Sequence, residues 1–423
     1  MSDIFALKGD IAFSTDIQTI ETRENHYLVC KDGKVEGVFD RLPEEFKDIP
    51  VTEYKNSIII PGLSDLHVHA PQYSYRGLNM DLELLEWLNT NTFPEESKFK
   101  DLEYAKRSYE IFVEDMRKSA TTRAVVFATI HTEATRLLMD LFETSGVKAM
   151  VGKVNMDRNS PEYLIETTED SANDTLNWIL ETANKYQNVK PIITPRFIPT
   201  CTDELMAKLG EIQRKTKVPM QSHLSENLDE IAWVKELCPD AEFYGDAYDK
   251  HGLFGGECKT VMAHCVYSTP EEVERMKERG VYVAHCPQSN MNVASGISPV
   301  RRLLESGLKV GLGSDVAGGS SLSLFRAMTD AIQCSKLYYR IMDQSAKQLT
   351  IEEAFYMGTM GGGEFFGKVG TFLKGYAFDV VVLNEEDLPH PQEFNLKQRL
   401  ERMVYLSDDR HITAKYVEGN KLF

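Results

Sequence analysis

The segment SIIIPGLSDLHVH, residues 57 to 69, decides the fold prediction. It is a continuous apolar run that ends in two histidines, as expected of a strand buried on both faces of a parallel sheet. Seven more short apolar segments follow it: 123–131, 148–156, 190–197, 218–226, 260–266, 281–287 and 309–315. The stretches between them have helical spacing, and several end in Gly. Eight strands alternating with helices predict an α/β fold, a closed (β/α)8 barrel of the TIM type.

The two ends of the chain have a different pattern. Residues 1–56 and 368–423 contain short strand-like runs and turn signals such as Lys31-Asp32-Gly33-Lys34. We expect both ends to form one small β-sandwich domain, with the barrel at residues 57–367. Thr350 and Glu353 form a capping-box signature, which predicts an added helix after the eighth barrel strand.

Composition excludes several classes of partner. The chain has 47 Lys and Arg against 65 Asp and Glu, a net charge of −18, which opposes binding to nucleic acid or acidic lipid. We see no secretory signal and no apolar run of membrane-spanning length. The seven cysteines show no CxxC spacing, so free thiols in a reducing compartment are expected. These features predict a cytoplasmic protein with a small neutral substrate and neither a nucleic-acid nor a membrane partner.

Metal-ligating side chains recur where the predicted strands end. His67 and His69 alternate along the first strand and so point to the same face. His223 closes the fifth strand and Asp315 the eighth, and active sites of such barrels lie at the carboxyl ends of the strands. We therefore predict one divalent metal ion per chain, bound by His67, His69, His223 and Asp315. Three imidazoles and a carboxylate suit zinc, with ferrous iron as the alternative.

Two further side chains predict proton transfer beside this metal. Glu226 follows His223 by three residues, where a carboxylate can move protons without being a ligand. The alternative for Glu226 is a carboxylate that stabilises a helix N-terminus. Asp315 would take a proton from the attacking water, and His264, at the end of the sixth strand, would hydrogen-bond to the attacking oxygen. His131 and His285 are interpreted as structural groups or as residues outside the ligand set.

Several motifs resemble those of the amidohydrolase superfamily: PGLSDLHVHAPQYSYRG, PRF at 195–197, SHLSEN at 222–227, HCPQSN at 285–290 and GLGSD at 311–315. HAPQY and PRF are narrower, and they resemble the guanine-deaminating family within it. The resemblance covers essentially the whole chain. It implies hydrolysis of guanine to xanthine and ammonia, a metal cofactor and a homodimer.

The resemblance also implies which residues bind the purine. Gln72 and Arg196 would hydrogen-bond to it, Phe197 would pack near the ring, and Trp87 and Leu88 would line the pocket together with Glu226 and His264. From the sequence alone, Arg196 at the end of an apolar strand needs an acceptor, which is either a substrate carbonyl or a carboxylate of the protein. Core packing is the alternative for Phe197, Trp87 and Leu88.

Two other functions remain open at this stage. A related deaminase or chlorohydrolase of the same fold would act on a modified purine, a pterin or a triazine. A catalytically inactive barrel could serve as a scaffold, although the complete ligand set disfavours it. The two-metal members of the superfamily resemble one another in using a carboxylated lysine from the fourth strand as a bridge between the metals. Lys190 of this chain lies at the other end of that strand, so the resemblance does not imply a second, bridged metal.

Overall fold

A computed structural model of the chain describes residues 4–423. The N-terminal strands are β1 (Ile4–Asp16), β2 (Thr19–Lys31), β3 (Lys34–Phe39) and β4 (Val51–Pro61). The strands of the central part are β5 (Leu63–His69), β6 (Thr121–Phe127), β7 (Lys148–Gly152), β8 (Val154–Asn155), β9 (Val189–Pro191), β10 (Thr194–Pro195), β11 (Met220–Leu224), β12 (Thr260–His264), β13 (Tyr282–His285) and β14 (Lys309–Leu312). The C-terminal strands are β15 (Val380–Asn384), β16 (Ile412–Val417) and β17 (Asn420–Lys421).

Helices separate the central strands and follow the last of them. They are α1 (Leu84–Trp87), α2 (Phe93–Ser97), α3 (Leu102–Lys118), α4 (Thr132–Ser145), α5 (Thr168–Thr182), α6 (Asp203–Thr216), α7 (Leu228–Leu237), α8 (Asp246–Asp249), α9 (Pro270–Arg279), α10 (Pro287–Asn292), α11 (Val300–Glu305), α12 (Leu324–Ile341), α13 (Ile351–Tyr356) and α14 (Leu396–Leu406). The predicted capping box opens α13, where the Thr350 hydroxyl accepts a hydrogen bond from the Glu353 amide. Within residues 4–423, no helix has the length and apolar character needed to cross a membrane.

The central strands form the predicted barrel. Eight of them pair in parallel in the order β11-β12-β13-β14-β5-β6-β7-β9. A parallel bridge between Ile193 and Met220 joins the two ends of this order, so the sheet closes on itself. The closed (β/α)8 barrel is therefore confirmed, and it brings the carboxyl ends of all its strands to one rim.

Three of the predicted barrel strands differ from the expectation. The segment 57–69 is two strands, because β4 pairs with β15 as far as Pro61 and only β5 enters the barrel. Gly62 lies at this junction, where a Cβ would come 2.2 Å from the Thr122 hydroxyl. Strand pairing thus favours a domain boundary at Gly62 over the predicted boundary after residue 56. The third and fourth strands are also interrupted, and their second pieces, β8 and β10, pair separately with each other.

The two chain ends form one mixed sheet with the order β17-β16-β15-β4-β1-β2-β3. The amide of Val35 in β3, at one edge of the sheet, donates to the carbonyl of Tyr376, just before β15. The sheet therefore curls so that these two segments meet. Apolar side chains from β1, β2, β15 and β16 share one core inside the curl. A domain made from both ends was predicted; it contains one continuous sheet in place of the two sheets of the expected sandwich.

Buried charges join this sheet to the barrel. The side-chain nitrogen of Lys415, in β16, is fully buried, and its three N–H groups are shared among four carbonyls, those of Met116, Arg117, Ser119 and Thr121. These carbonyls lie at the C-terminus of α3 and the start of β6, where cations are favoured. Arg123 in β6 also binds Asp379, with Nε 2.7 Å from Oδ2.

Candidate active site

A pocket of ≈ 450 Å³ opens among the carboxyl ends of the barrel strands. All the residues predicted to bind substrate line it: Gln72, Trp87, Leu88, Arg196, Phe197, Glu226 and His264. The predicted ligands His69, His223 and Asp315 line it as well. The structure therefore brings the sequence-predicted site residues together around one space.

Four potential ligand atoms face one another at the base of this pocket. His69 Nε2 lies 3.2 Å from His67 Nε2 and 3.3 Å from His223 Nε2. The carboxylate oxygen Oδ1 of Asp315 is 3.1 Å from His67 Nε2 and 3.4 Å from His69 Nε2. A tetrahedral ion with bonds of about 2.1 Å places its ligand atoms ~3.4 Å apart. The spacing of these donors therefore fits one small divalent metal ion.

Backbone contacts hold the ligands in this arrangement. His223 Nδ1 lies 2.6 Å from the carbonyl of Arg196, which directs Nε2 toward the other ligands. Asp65 accepts hydrogen bonds from the His67 amide and from both the amide and hydroxyl of Ser314, linking the first and eighth strands. At Gly313 a Cβ would come 2.9 Å from the Cβ of His67, so glycine permits this close approach.

The electrostatics of the ligands suit metal binding. Burial lowers the pKa of His69 and of His223 well below the ordinary value, so both imidazoles are neutral and can act as ligands. Burial alone would raise the pKa of Asp315, but the neighbouring His67 and His264 outweigh it and the pKa is lowered. A neutral imidazole set with an ionised carboxylate is the donor chemistry of a zinc or ferrous site.

Glu226 and His264 form a second layer beside these ligands. The Glu226 carboxylate is buried, with Oε2 3.3 Å from His264 Nε2 and Oε1 accepting from the Ser295 hydroxyl at 2.9 Å. Burial raises the pKa of Glu226 to about 7. The other ring nitrogen of His264, Nδ1, lies 2.9 Å from Asn290 Oδ1. Glu226 is thus a buried carboxyl that can gain or lose a proton near neutrality, as a proton-transfer group requires.

A third buried carboxylate, Glu230, supports the Glu226 loop. Its Oε2 accepts from the backbone amide of Glu226 at 3.1 Å and from that of Asn227 at 3.3 Å, while the Tyr244 hydroxyl donates to Oε1 at 2.6 Å. Together with the Asn227 side chain this is a capping box at the start of α7. The helix N-terminal role that was the alternative for Glu226 therefore belongs to Glu230.

Arg196 both faces the pocket, where a substrate carbonyl could bind, and contacts a carboxylate of the protein. Its side chain lines the pocket, and its Nη1 and Nη2 donate to Glu96 Oε2 and Oε1 at 2.6 and 3.1 Å. Gln72 Nε2 donates to the same carboxylate at 3.0 Å, and Gln72 Oε1 accepts from the Ala317 amide at 3.2 Å. The carboxylate partner of Arg196 is therefore present, and it binds Gln72 as well.

The segment after β5, the first strand of the barrel, covers the pocket. Trp87 ends α1, and Leu88 begins a π-helical turn, Leu88–Thr92, that leads into α2. Together with Leu84, Val293 and Phe197 they supply the apolar part of the lining. These side chains are buried, so they serve both as core and as pocket wall.

Other histidines and cysteines lie outside the pocket lining. His131 precedes α4 in a separate groove, and burial lowers its pKa to about 4. His285 is fully buried at the end of β13, with its pKa lowered to about 3. Cys265 and Cys286 are buried, and burial raises their pKa values well above normal, so both are thiols of the core. These positions agree with the structural interpretation of the sequence.

Sequence reasoning missed Glu96, Glu230, Asn290 and Ser295. The N-x-x-E spacing of Asn227 and Glu230 is a capping-box signature that could have revealed Glu230. No comparable local pattern marks Glu96, because its partner Arg196 is 100 residues away along the chain.

Comparisons with known proteins agree with this geometry. Residues 58–422 match the amidohydrolase family. A guanine deaminase of Dictyostelium discoideum is 38% identical over 98% of this chain and 97% of its own length. A guanine deaminase of Escherichia coli is 35% identical over 95% and 91%. The crystal structure of guanine deaminase from C. acetobutylicum with guanine bound in the active site superposes with a TM-score of 0.97 at 47% identity, covering 100% of both chains. The resemblance inferred from the sequence motifs is confirmed: the chain belongs to the amidohydrolase family.

Proposed function

We propose that this chain is a hydrolytic deaminase that converts guanine and water to xanthine and ammonia. The observation that carries the proposal is the pocket itself, in which a set of potential metal ligands, a buried carboxyl suited to proton transfer and apolar side chains meet. The guanine deaminases to which the chain is similar over nearly its whole length support the same reaction. The enzyme belongs to a metal-dependent family.

The cofactor is one divalent ion per chain, and zinc is the ion we propose, with ferrous iron as the alternative. His67, His69, His223 and Asp315 would hold it, because the donor atoms that face one another are 3.1 to 3.4 Å apart. When bound, such an ion is a Lewis acid that makes water a usable nucleophile near neutral pH.

The chain's own residues then move the protons of the reaction. Asp315 is ionised and accepts a proton from the attacking water. Glu226 holds a proton near neutrality and donates it to the ring nitrogen beside the amino-bearing carbon of guanine, which makes that carbon more electrophilic. Glu226, now ionised, takes the remaining proton of the added oxygen and passes it to the departing amine, which leaves as ammonia while the oxygen becomes the ring carbonyl. The proton held by Asp315 then passes to Glu226, which restores both groups. His264, whose pKa is raised by Glu226 and Asp315 against the effect of burial, donates a hydrogen bond to the incoming oxygen.

The purine is oriented by the opposite wall of the pocket. Arg196 retains N–H groups beyond those bound to Glu96, and these can donate to the guanine carbonyl oxygen. Gln72 can hydrogen-bond to the adjoining edge, while Trp87, Leu88 and Phe197 enclose the ring faces. Together these contacts would hold the amino-bearing carbon toward Asp315 and Glu226.

The decisive experiment measures ammonia and xanthine formation from guanine and the metal content of the same purified sample. We expect one metal ion per chain and turnover of guanine well above that of adenine, cytosine, 8-oxoguanine and melamine. A metal-loaded protein that does not turn over guanine contradicts the proposal. Turnover of melamine or 8-oxoguanine in its place would favour a related aminohydrolase of the same fold.

Two accompanying expectations stay predictions. A homodimer is checked by light scattering of the purified chain, and a cytoplasmic location by fractionation of the cells that produce it. Neither affects the chemistry proposed for the pocket.

A further inference from the structure

We infer that Glu96 is a positioning residue for substrate specificity: it fixes Arg196 and Gln72 and cancels the charge of Arg196, so that the pocket accepts a neutral purine edge and disfavours anions. The inference rests on the proposed function and adds a residue that lies behind the pocket wall. Glu96 belongs to α2, in the segment that covers the pocket.

The first support is the geometry of the Glu96 carboxylate. It is 1% exposed, and both of its oxygens are used, since Oε2 accepts from Arg196 and Oε1 accepts from Arg196 and Gln72. The Arg196 contact is bidentate, which fixes the plane of the guanidinium as well as its position. Phe93 lies against the same guanidinium, with its ring centre 5.2 Å away.

The second support is that Glu96 determines which way Gln72 faces. A backbone amide can only donate and a carboxylate accepts, so the contacts with Ala317 and Glu96 assign the oxygen and nitrogen of the Gln72 side chain. One N–H and one lone pair of Gln72 remain for a ligand. A lactam edge, which places an N–H beside a carbonyl oxygen, is complementary to Gln72 and Arg196 together.

The third support is charge. A buried guanidinium alone would attract anions strongly, since little solvent screens it. Paired with Glu96, Arg196 offers directed N–H groups with little net charge. The substrate guanine is neutral, whereas xanthine, with its second carbonyl, is the stronger acid of the two. This end of the pocket should therefore bind neutral guanine and release the product as it ionises.

The test compares Glu96→Gln with the matched control Glu95→Gln. Glu95 is the preceding residue of α2, but its carboxylate accepts from Ser74 and Lys98, away from the purine-binding pair. In Glu96→Gln an NH2 group replaces one carboxylate oxygen, so Arg196 or Gln72 meets a donor instead of an acceptor. We expect the KM for guanine to rise at least tenfold over Glu95→Gln, with kcat reduced less than threefold and metal content unchanged.

Inhibition by xanthine separates this role from a merely structural one. For the wild-type chain and Glu95→Gln, inhibition should weaken as the pH passes the first dissociation of xanthine. Glu226 lines the same pocket and ionises near neutrality, but it is unchanged in every variant compared, so the difference between the variants reports on Glu96. For Glu96→Gln the trend should reverse, because the charge of Arg196 is no longer cancelled. An unchanged trend, or a KM within twofold of the control, overturns the inference.

The pH dependence of xanthine inhibition in the wild-type chain tests the inference even if Glu96→Gln does not fold. Equal or tighter binding of the xanthine anion by the wild-type chain would contradict charge cancellation directly. If the metal-loaded wild-type chain releases no ammonia from guanine, the proposed function fails and this inference fails with it. Normal wild-type turnover with an unaltered Glu96→Gln variant overturns this inference alone.

Discussion

Replacing Glu226 by glutamine removes the proposed proton carrier while changing the pocket very little. The amide oxygen of the new side chain can still accept from the Ser295 hydroxyl, which now bonds to Glu226 Oε1 at 2.9 Å. The four predicted ligand atoms are untouched, so metal content should stay at the wild-type level. General acid-base catalysis typically accelerates a reaction by about 10²- to 10⁴-fold. At 1.36 kcal/mol for each tenfold change in rate, this corresponds to roughly 3 to 5 kcal/mol of activation free energy. We expect kcat for guanine to fall by that factor.

The pH profile gives an independent check on Glu226. Burial raises its pKa to about 7, so the protonated form that can donate to the ring nitrogen is lost as the pH rises through that value. The wild-type kcat/KM should therefore decline on the alkaline side of about 7. Ammonia release measured across pH should show this limb in the wild-type chain and not in Glu226→Gln. A variant that keeps its metal and more than a tenth of the wild-type kcat would refute the reasoning.

Three further changes test other parts of the structure. His67→Ala should abolish metal binding, measured by elemental analysis of the purified chain; wild-type metal content would show that His67 is not a ligand. Tyr244→Phe leaves Glu230 without its 2.6 Å hydroxyl donor, which should lower the free energy of unfolding by about 1 to 3 kcal/mol. Because Glu230 holds the Glu226 loop, kcat should fall severalfold while metal content, the control, stays unchanged. An unchanged kcat would separate Glu230 from catalysis. Lys415→Met leaves buried carbonyls unpaired and should destabilise the fold by ~3 to 5 kcal/mol. The measurement is the midpoint of thermal unfolding, which should fall. An unchanged midpoint would contradict a stabilising role for Lys415.

The barrel and the convergence of the predicted ligands could be foreseen because each depends on local sequence. Strands buried on both faces must be apolar, so the eight runs stood out, and parallel strands end on one rim, so His67, His223 and Asp315 had to converge. The two-part nature of segment 57–69 could not be predicted. Both parts are equally apolar, and only pairing with β15 assigns the first of them to the other sheet.

The substrate-binding side of the pocket depended more on tertiary contacts. The sequence left Arg196 with either a ligand or a carboxylate as its acceptor, and the structure supplies the carboxylate from Glu96, in a helix far away along the chain. Hydrogen bonds between distant segments have no periodicity and leave no spacing to recognise. Glu230, in contrast, sits in a local capping box and was within reach of sequence reasoning.

The way the chain ends share a sheet has a consequence for synthesis on the ribosome. β4 runs through Gly62 into β5, the strand that carries His67 and His69, yet the partner of β4 on one side is β15, near the other end of the chain. Until β15 emerges, a nascent chain exposes the edge of β4 with its backbone groups unpaired. The segment that leads into the strand of His67 and His69 therefore gains its last pairing partner late in translation, and chains released before residue 380 would be candidates for aggregation.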